Sequence, residues 1–165
     1  MEYMNRRIFV ILLVCLMLCV ACGANKIKGR PPFVSIASLA VQDQTLTARV
    51  DIYNINEVEM VIDSIELAIR SRDVDLAKRN GPLQLTVGPN TTENISVSQQ
   101  AGENALQLLT GLENGEVASL PFSLLGRVHT RDDGYLPFEH EGHLYPVPGR
   151  QGQFRSTSSR SSRPR

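Results

Sequence analysis

Histidines, acids and cysteines are the residues here that could do chemistry. His140 and His143 flank Glu141-Gly142. Two histidines beside an acid could hold a divalent metal, but the zincin arrangement places them four apart on a helix. Three apart in a strand, they point to opposite faces, so no metal site is expected. His129 stands alone and reads as solvated or hydrogen-bonded. Asp132-Asp133 could cluster with Glu139 and Glu141 as an acidic hairpin. A calcium loop needs oxygens at regular spacing and a terminal Glu. Only the turn at Gly134 fits, so a solvated hairpin is expected. There is no Gly-x-Ser-x-Gly elbow and no phosphate-binding glycine loop. The expectation is a non-enzymatic protein with no cofactor, no metal and no evident small-molecule substrate.

The cysteines point elsewhere. Cys15, Cys19 and Cys22 are the only three. None follows Cys22, so a disulfide framework in the rest of the chain is excluded. Arg6 and Arg7 precede Ile8–Ala21, a 14-residue run without a polar residue. A membrane-spanning helix needs about 18 or more apolar residues. The run fits the apolar region of an export signal, usually about 7–15 residues. An uncleaved signal anchor is the alternative, since Gly23 and Ala24 extend the tolerable stretch. Cys19-Val20-Ala21-Cys22 resembles the bacterial lipobox, with Cys19 where leucine is usual. That resemblance implies cleavage before Cys22, acylation of its sulfur, and a lipid partner. Two or three acyl chains anchor stably where one does not. Gly23, rather than Asp, follows the cysteine. By the same resemblance this favours the periplasmic face of the outer membrane within a bacterial cell envelope.

Charge divides the remaining chain. Residues 22–149 hold 10 Lys/Arg against 16 Asp/Glu, a surplus of six acids. The tail 150–165 holds five arginines and no acid. Four segments follow: a signal peptide (1–21), a lipidated tether (22–32), a domain (33–149) and a Ser/Arg-rich tail (150–165). The tether is basic and ends in Pro31-Pro32, which favours an extended chain. Its Lys26, Lys28 and Arg30 are placed to touch anionic headgroups or simply to be solvated. The tail has one aromatic, Phe154, too little apolar surface to offset ordering, so it is expected to be disordered. Its spread arginines and the export signal argue against nucleic acid as a partner. An envelope protein is the alternative partner.

From Phe33 the dominant pattern is period two. Leu46, Ala48, Val50 and Ile52 alternate with polar neighbours, as do Ile65, Leu67 and Ile69. Further runs are Leu83–Val87, Ile95–Val97 and Leu120–Leu124. Asn54–Glu57, Arg79–Pro82 and Gly88–Asn90 read as turns, and Asp132-Asp133-Gly134 as a hairpin. Leu106, Leu109 and Leu112 keep helical spacing, with Asn104 as the expected N-cap. Several short strands with one helix indicate an all-β sandwich.

The order of these features also resembles a known family. Pro32-Phe33-Val34-Ser35-Ile36 is followed by Asp51-Ile52-Tyr53-Asn54-Ile55-Asn56. Leu120-Pro121-Phe122-Ser123-Leu124-Leu125-Gly126-Arg127-Val128 and Leu136-Pro137-Phe138-Glu139-His140-Glu141-Gly142 come later. Together they resemble the group 2 late embryogenesis abundant family, also called the water-stress and hypersensitive-response domain. The family usually has Asn-Pro-Asn where this chain has Asn54-Ile55-Asn56. The resemblance implies an immunoglobulin- or fibronectin type III-like antiparallel β-sandwich of about seven strands. It implies structural roles for Asn54, Asn56, Gly126 and Gly142, and a protective role in water stress without a defined reaction. The asparagines read as turn residues whose side chains bond nearby backbone.

Overall fold

A computed structural model describes residues 29–158. Cys22 and the expected export segment lie within residues 1–28, outside the described residues, as do residues 159–165. The described chain forms β1 (Phe33–Gln42), β2 (Thr45–Tyr53), β3 (Met60–Ser71), β4 (Val74–Val87) and β5 (Thr92–Gln100). Helix α1 (Glu103–Glu113) follows, then β6 (Leu120–Thr130), β7 (Gly134–Pro146) and β8 (Gln153–Ser158). The described residues form an all-β fold with one helix.

Alternation explains the strands. On β2, Leu46, Ala48, Val50 and Ile52 are fully buried, while Thr45, Arg49 and Tyr53 are not. Each fully buried Leu or Ile contributes about 1.5–3 kcal/mol over its exposed state. Strands β1 and β3 change phase along their length. On β1, Ile36 and Leu39 are three apart yet both buried, and on β3 so are Ile62 and Ile65. A bulge between Ile36 and Ser38 opposite β2, and another between Ile62 and Ser64 opposite β6, absorbs the extra residue. Apolar residues three apart in a strand therefore mark the bulges.

The strands join in the order β4-β3-β6-β7-β8-β1-β2-β5. All pairings are antiparallel. The sheet folds over so that β2 lies against β4, and β1 against β6 and β7. One contiguous core fills the space between. The expectation of about seven strands is short by one. The added strand is β8, from the tail expected to be disordered. It inserts between β7 and β1, with Leu39 paired to Phe154 and Tyr145 to Arg155. Phe154 is 2% exposed. Ladder bonds on both flanks, together with this one buried ring, hold a segment that is otherwise polar.

Two further expectations are corrected. Arg79–Pro82 is no turn but lies within the 14-residue β4. Because β4 ends the sheet order, Pro82 sits at an edge where no ladder donor is required. The chain's irregularity there is a bulge opposite Ile62–Ser64, with Gln84 at φ 50°. Helix α1 begins one residue before Asn104. Its N-cap is Gly102, which makes no side-chain cap bond. Leu109 and Leu112 are buried as expected, and Leu106 is half-buried.

Candidate functional site

The loops joining β2–β3, β4–β5 and β6–β7 gather at the end where the chain enters. Asn54 organises this end. It is fully buried and its backbone N–H donates to the Thr91 carbonyl at 3.0 Å. Its Nδ2 donates to the carbonyls of Val58 (2.8 Å), Val87 (3.1 Å) and Gly88 (3.1 Å). Its Oδ1 accepts from the backbone N–H of Asn56 at 3.0 Å and from Asn56 Nδ2 at 2.9 Å. One amide thus ties two loops together and satisfies carbonyls that burial would otherwise strand.

Asn56 carries the network outward. Its Nδ2 donates to the Arg30 carbonyl at 3.0 Å, and its Oδ1 accepts the Arg30 N–H at 2.8 Å. The two bonds hold residue 30 as a neighbouring strand would. The asparagines therefore act on backbone, as the turn reading expects, and they also grip the incoming chain. That second action was not legible, because its partner is 26 residues away.

Gly126 and Gly142 sit elsewhere, on the inner face of β6 and β7. Gly126 pairs across the ladder with Phe138, and Gly142 with Phe122. A Cβ on Gly126 would meet the Glu66 carbonyl and come within 2.6 Å of the Phe138 ring. On Gly142 it would meet the Thr157 carbonyl and come within 2.8 Å of the Phe122 ring. The absent side chains make room for the aromatic rings facing them.

His140 and His143 occupy opposite faces of β7, as the spacing requires: His140 is 2% exposed and His143 is exposed. The His140 ring lies edge-on to Phe33 at 5.1 Å and tilted to Phe122 at 6.0 Å. Its Nδ1 has no hydrogen-bond partner among the described residues. Burial pushes the imidazole below its ordinary pKa, with Glu141 pulling weakly the other way. His129 Nδ1 is 3.9 Å from Asp63, and its ring is 4.7 Å from Tyr135. The hairpin turns at Gly134 with φ 73°. Within it, Asp133 N–H donates to Thr130 Oγ1 at 3.2 Å. Among the described residues no three His, Cys, Asp or Glu side chains converge as a metal site.

Two other surfaces stand out. On the outer face of β6 and β7, Tyr135 is 57% exposed. Arg127 lies 4.8 Å over its ring and forms two 2.9 Å bonds to Glu66. At the far end, α1 is flanked by open clefts. One, of about 450 Å³, lies between Leu106, Leu109 and Glu113 on the helix and Val41 and Phe154 on the strands. The other, about 390 Å³, is lined by Leu108, Gly111, Val117, Val74 and Leu120.

No protein-family pattern matches the chain, and no curated protein matches it. Solved structures do. A solution structure of an Arabidopsis thaliana protein matches with a TM-score of 0.54 at 13% identity, over 79% of this chain and 93% of that one. A second solution structure, of a protein provisionally assigned as late embryogenesis abundant, gives 0.46 at 14%, over 92% and 90%. A crystal structure of an Archaeoglobus fulgidus protein gives 0.44 at 20%, over 69% and 95%. At such identities the first of these likenesses supports a common fold and says nothing of activity.

Proposed function

We propose that the protein is a non-enzymatic β-sandwich lipoprotein of the bacterial envelope that protects neighbouring macromolecules under water stress. Acylated Cys22 is its anchor, most simply on the periplasmic face of the outer membrane. The observation that carries the tethered reading is the grip of Asn56 on Arg30. Arg30 lies only eight positions after Cys22. That span reaches roughly 28 Å fully extended. An acylated chain would therefore hold the entry end close to the bilayer and turn the α1 end away. The stress role is supported by the family resemblance of residues 32–149. Two experiments test the reading. Cys22→Ser should move the protein from the membrane to the soluble fraction. Residues 29–158, which include β8, should suppress light scattering from a heat-labile enzyme beyond an equal mass of inert protein. No suppression would sink the protective role in its simple form.

A second reading, an adaptor for one envelope protein, draws on the outer face of β6 and β7. An exposed Tyr135 stacked with Arg127 has the composition of an interface anchor. Crosslinking from this face to one dominant partner would favour it.

A further inference from the structure

The sheet order begins at β4 and ends at β5, so both strands have an edge without a neighbouring strand. The two edges meet along one flank, and side chains bridge them. Gln99 of β5 makes the central bridge. Its Oε1 accepts the backbone N–H of Lys78 at 2.9 Å, and its Nε2 donates to the Leu76 carbonyl at 3.2 Å. These two main-chain groups lie two residues apart on the outward side of β4. In a parallel ladder, one residue of a neighbouring strand satisfies such a pair through its own C=O and N–H. The Gln99 amide thus stands where a peptide group of an added strand would be.

Farther along β4 the same edge meets Arg79. Its Nη1 donates to the Ser96 carbonyl at 3.4 Å and its Nη2 to the Pro82 carbonyl at 3.2 Å. Both partners are neutral, and among the described residues Arg79 forms no ion pair. Lys78 differs, because its ammonium is 2.6 Å from Asp75, which also holds Arg70. The edge therefore combines main-chain groups satisfied by side chains rather than by a neighbouring strand with one guanidinium that has no carboxylate among the described residues.

We propose that the β4 edge from Leu76 to Pro82 docks an extended polypeptide segment bearing an acidic residue, and that Gln99 is the latch occupying this edge in the free protein. Main-chain bonds supply affinity in such strand addition, and it tolerates varied side chains. The inference deepens the protective reading by giving it a client class, unfolded chain, and a place to bind it. The latch lowers apparent affinity by the fraction of time it is closed.

The test uses the full chain and a defined probe: a labelled nine-residue peptide of alternating valine and threonine with a central aspartate. A second peptide of the same composition carries N-methyl groups on alternate amides, which removes ladder donors on one edge. Fluorescence anisotropy reads binding to the unaltered protein and to Gln99→Ala. Removing the latch should tighten binding roughly tenfold, about the worth of two net hydrogen bonds. The N-methylated peptide should bind neither protein. Hydrogen exchange at the Lys78 amide gives an independent measure: protected in the unaltered protein, faster in Gln99→Ala, protected again with peptide. Equal affinity for both proteins, binding of the N-methylated peptide, or no binding by either protein would each overturn the proposal. Suppressed aggregation without peptide binding would leave the protective role standing and remove this edge from it.

Discussion

The two flanks of this sandwich are closed by different means. On one, β8 runs between β7 and β1 and completes main-chain ladders on both sides. On the other, β4 and β5 approach without a ladder and are joined by the side chains of Gln99 and Arg79. Ladder bonds come as a cooperative row with buried side chains beneath, here Phe154 against Leu39. Side-chain bridges are single, partly exposed contacts whose net worth is small. The first flank is thus built to stay shut, and the second can open at little expense.

Breaking the first flank should have the largest effect. Phe154→Ala removes a buried ring and should cost about 3–5 kcal/mol, read as a lower urea midpoint. Ending the chain after Gln151 removes β8 altogether and should cost at least as much. If either change left the midpoint in place, β8 would be an ornament rather than part of the core. Gly142→Ala comes next. Its Cβ meets the Thr157 carbonyl of β8 and the Phe122 ring, so overpacking of about 1–3 kcal/mol is expected.

Acid should weaken the same flank more gently, through His140. The unfolded chain takes up its proton near the ordinary value of 6.5, while the buried ring resists protonation. The unfolded state then binds more protons, so stability should fall as pH drops below about 6.5 and level off once the folded ring is charged. His140→Phe should flatten that slope in urea titrations at successive pH values. An unchanged slope would assign acid sensitivity to other groups. The smallest effect belongs to the second flank. Gln99→Ala should cost about 0.5–1.5 kcal/mol, with the loss confined to faster exchange at Lys78. A cost as large as that of Phe154→Ala would erase the contrast between the flanks.

The same contrast explains what could be read without coordinates. The strands of the core were legible because their burial is written in side-chain alternation, as at Leu46–Ile52. The hairpin at Gly134 was legible because a positive φ selects glycine. β8 was not, because its sequence is polar apart from Phe154 and its order comes from backbone bonds to distant strands. The apparent turn at Arg79–Pro82 misled because proline is excluded from central strands, whereas β4 is an edge. Asn54 and Asn56 were legible as turn formers by residue type. Their hold on Arg30, and the bridge from Gln99 to β4, depend on contacts across 26 and 21 residues, and no local pattern encodes those.

The grip of Asn56 on Arg30 also has a mechanical meaning. A pull on the chain ahead of Gly29 reaches residue 30 before it reaches β1. Its load passes through two hydrogen bonds to Asn56 and from there to the buried Asn54. Asn54 shares it between the β2–β3 and β4–β5 loops. Only after the clamp yields does tension run along β1, where it must shear the ladders to β2 and β8 together. The asparagine pair is thus a strain relief, placed where a cord enters its housing.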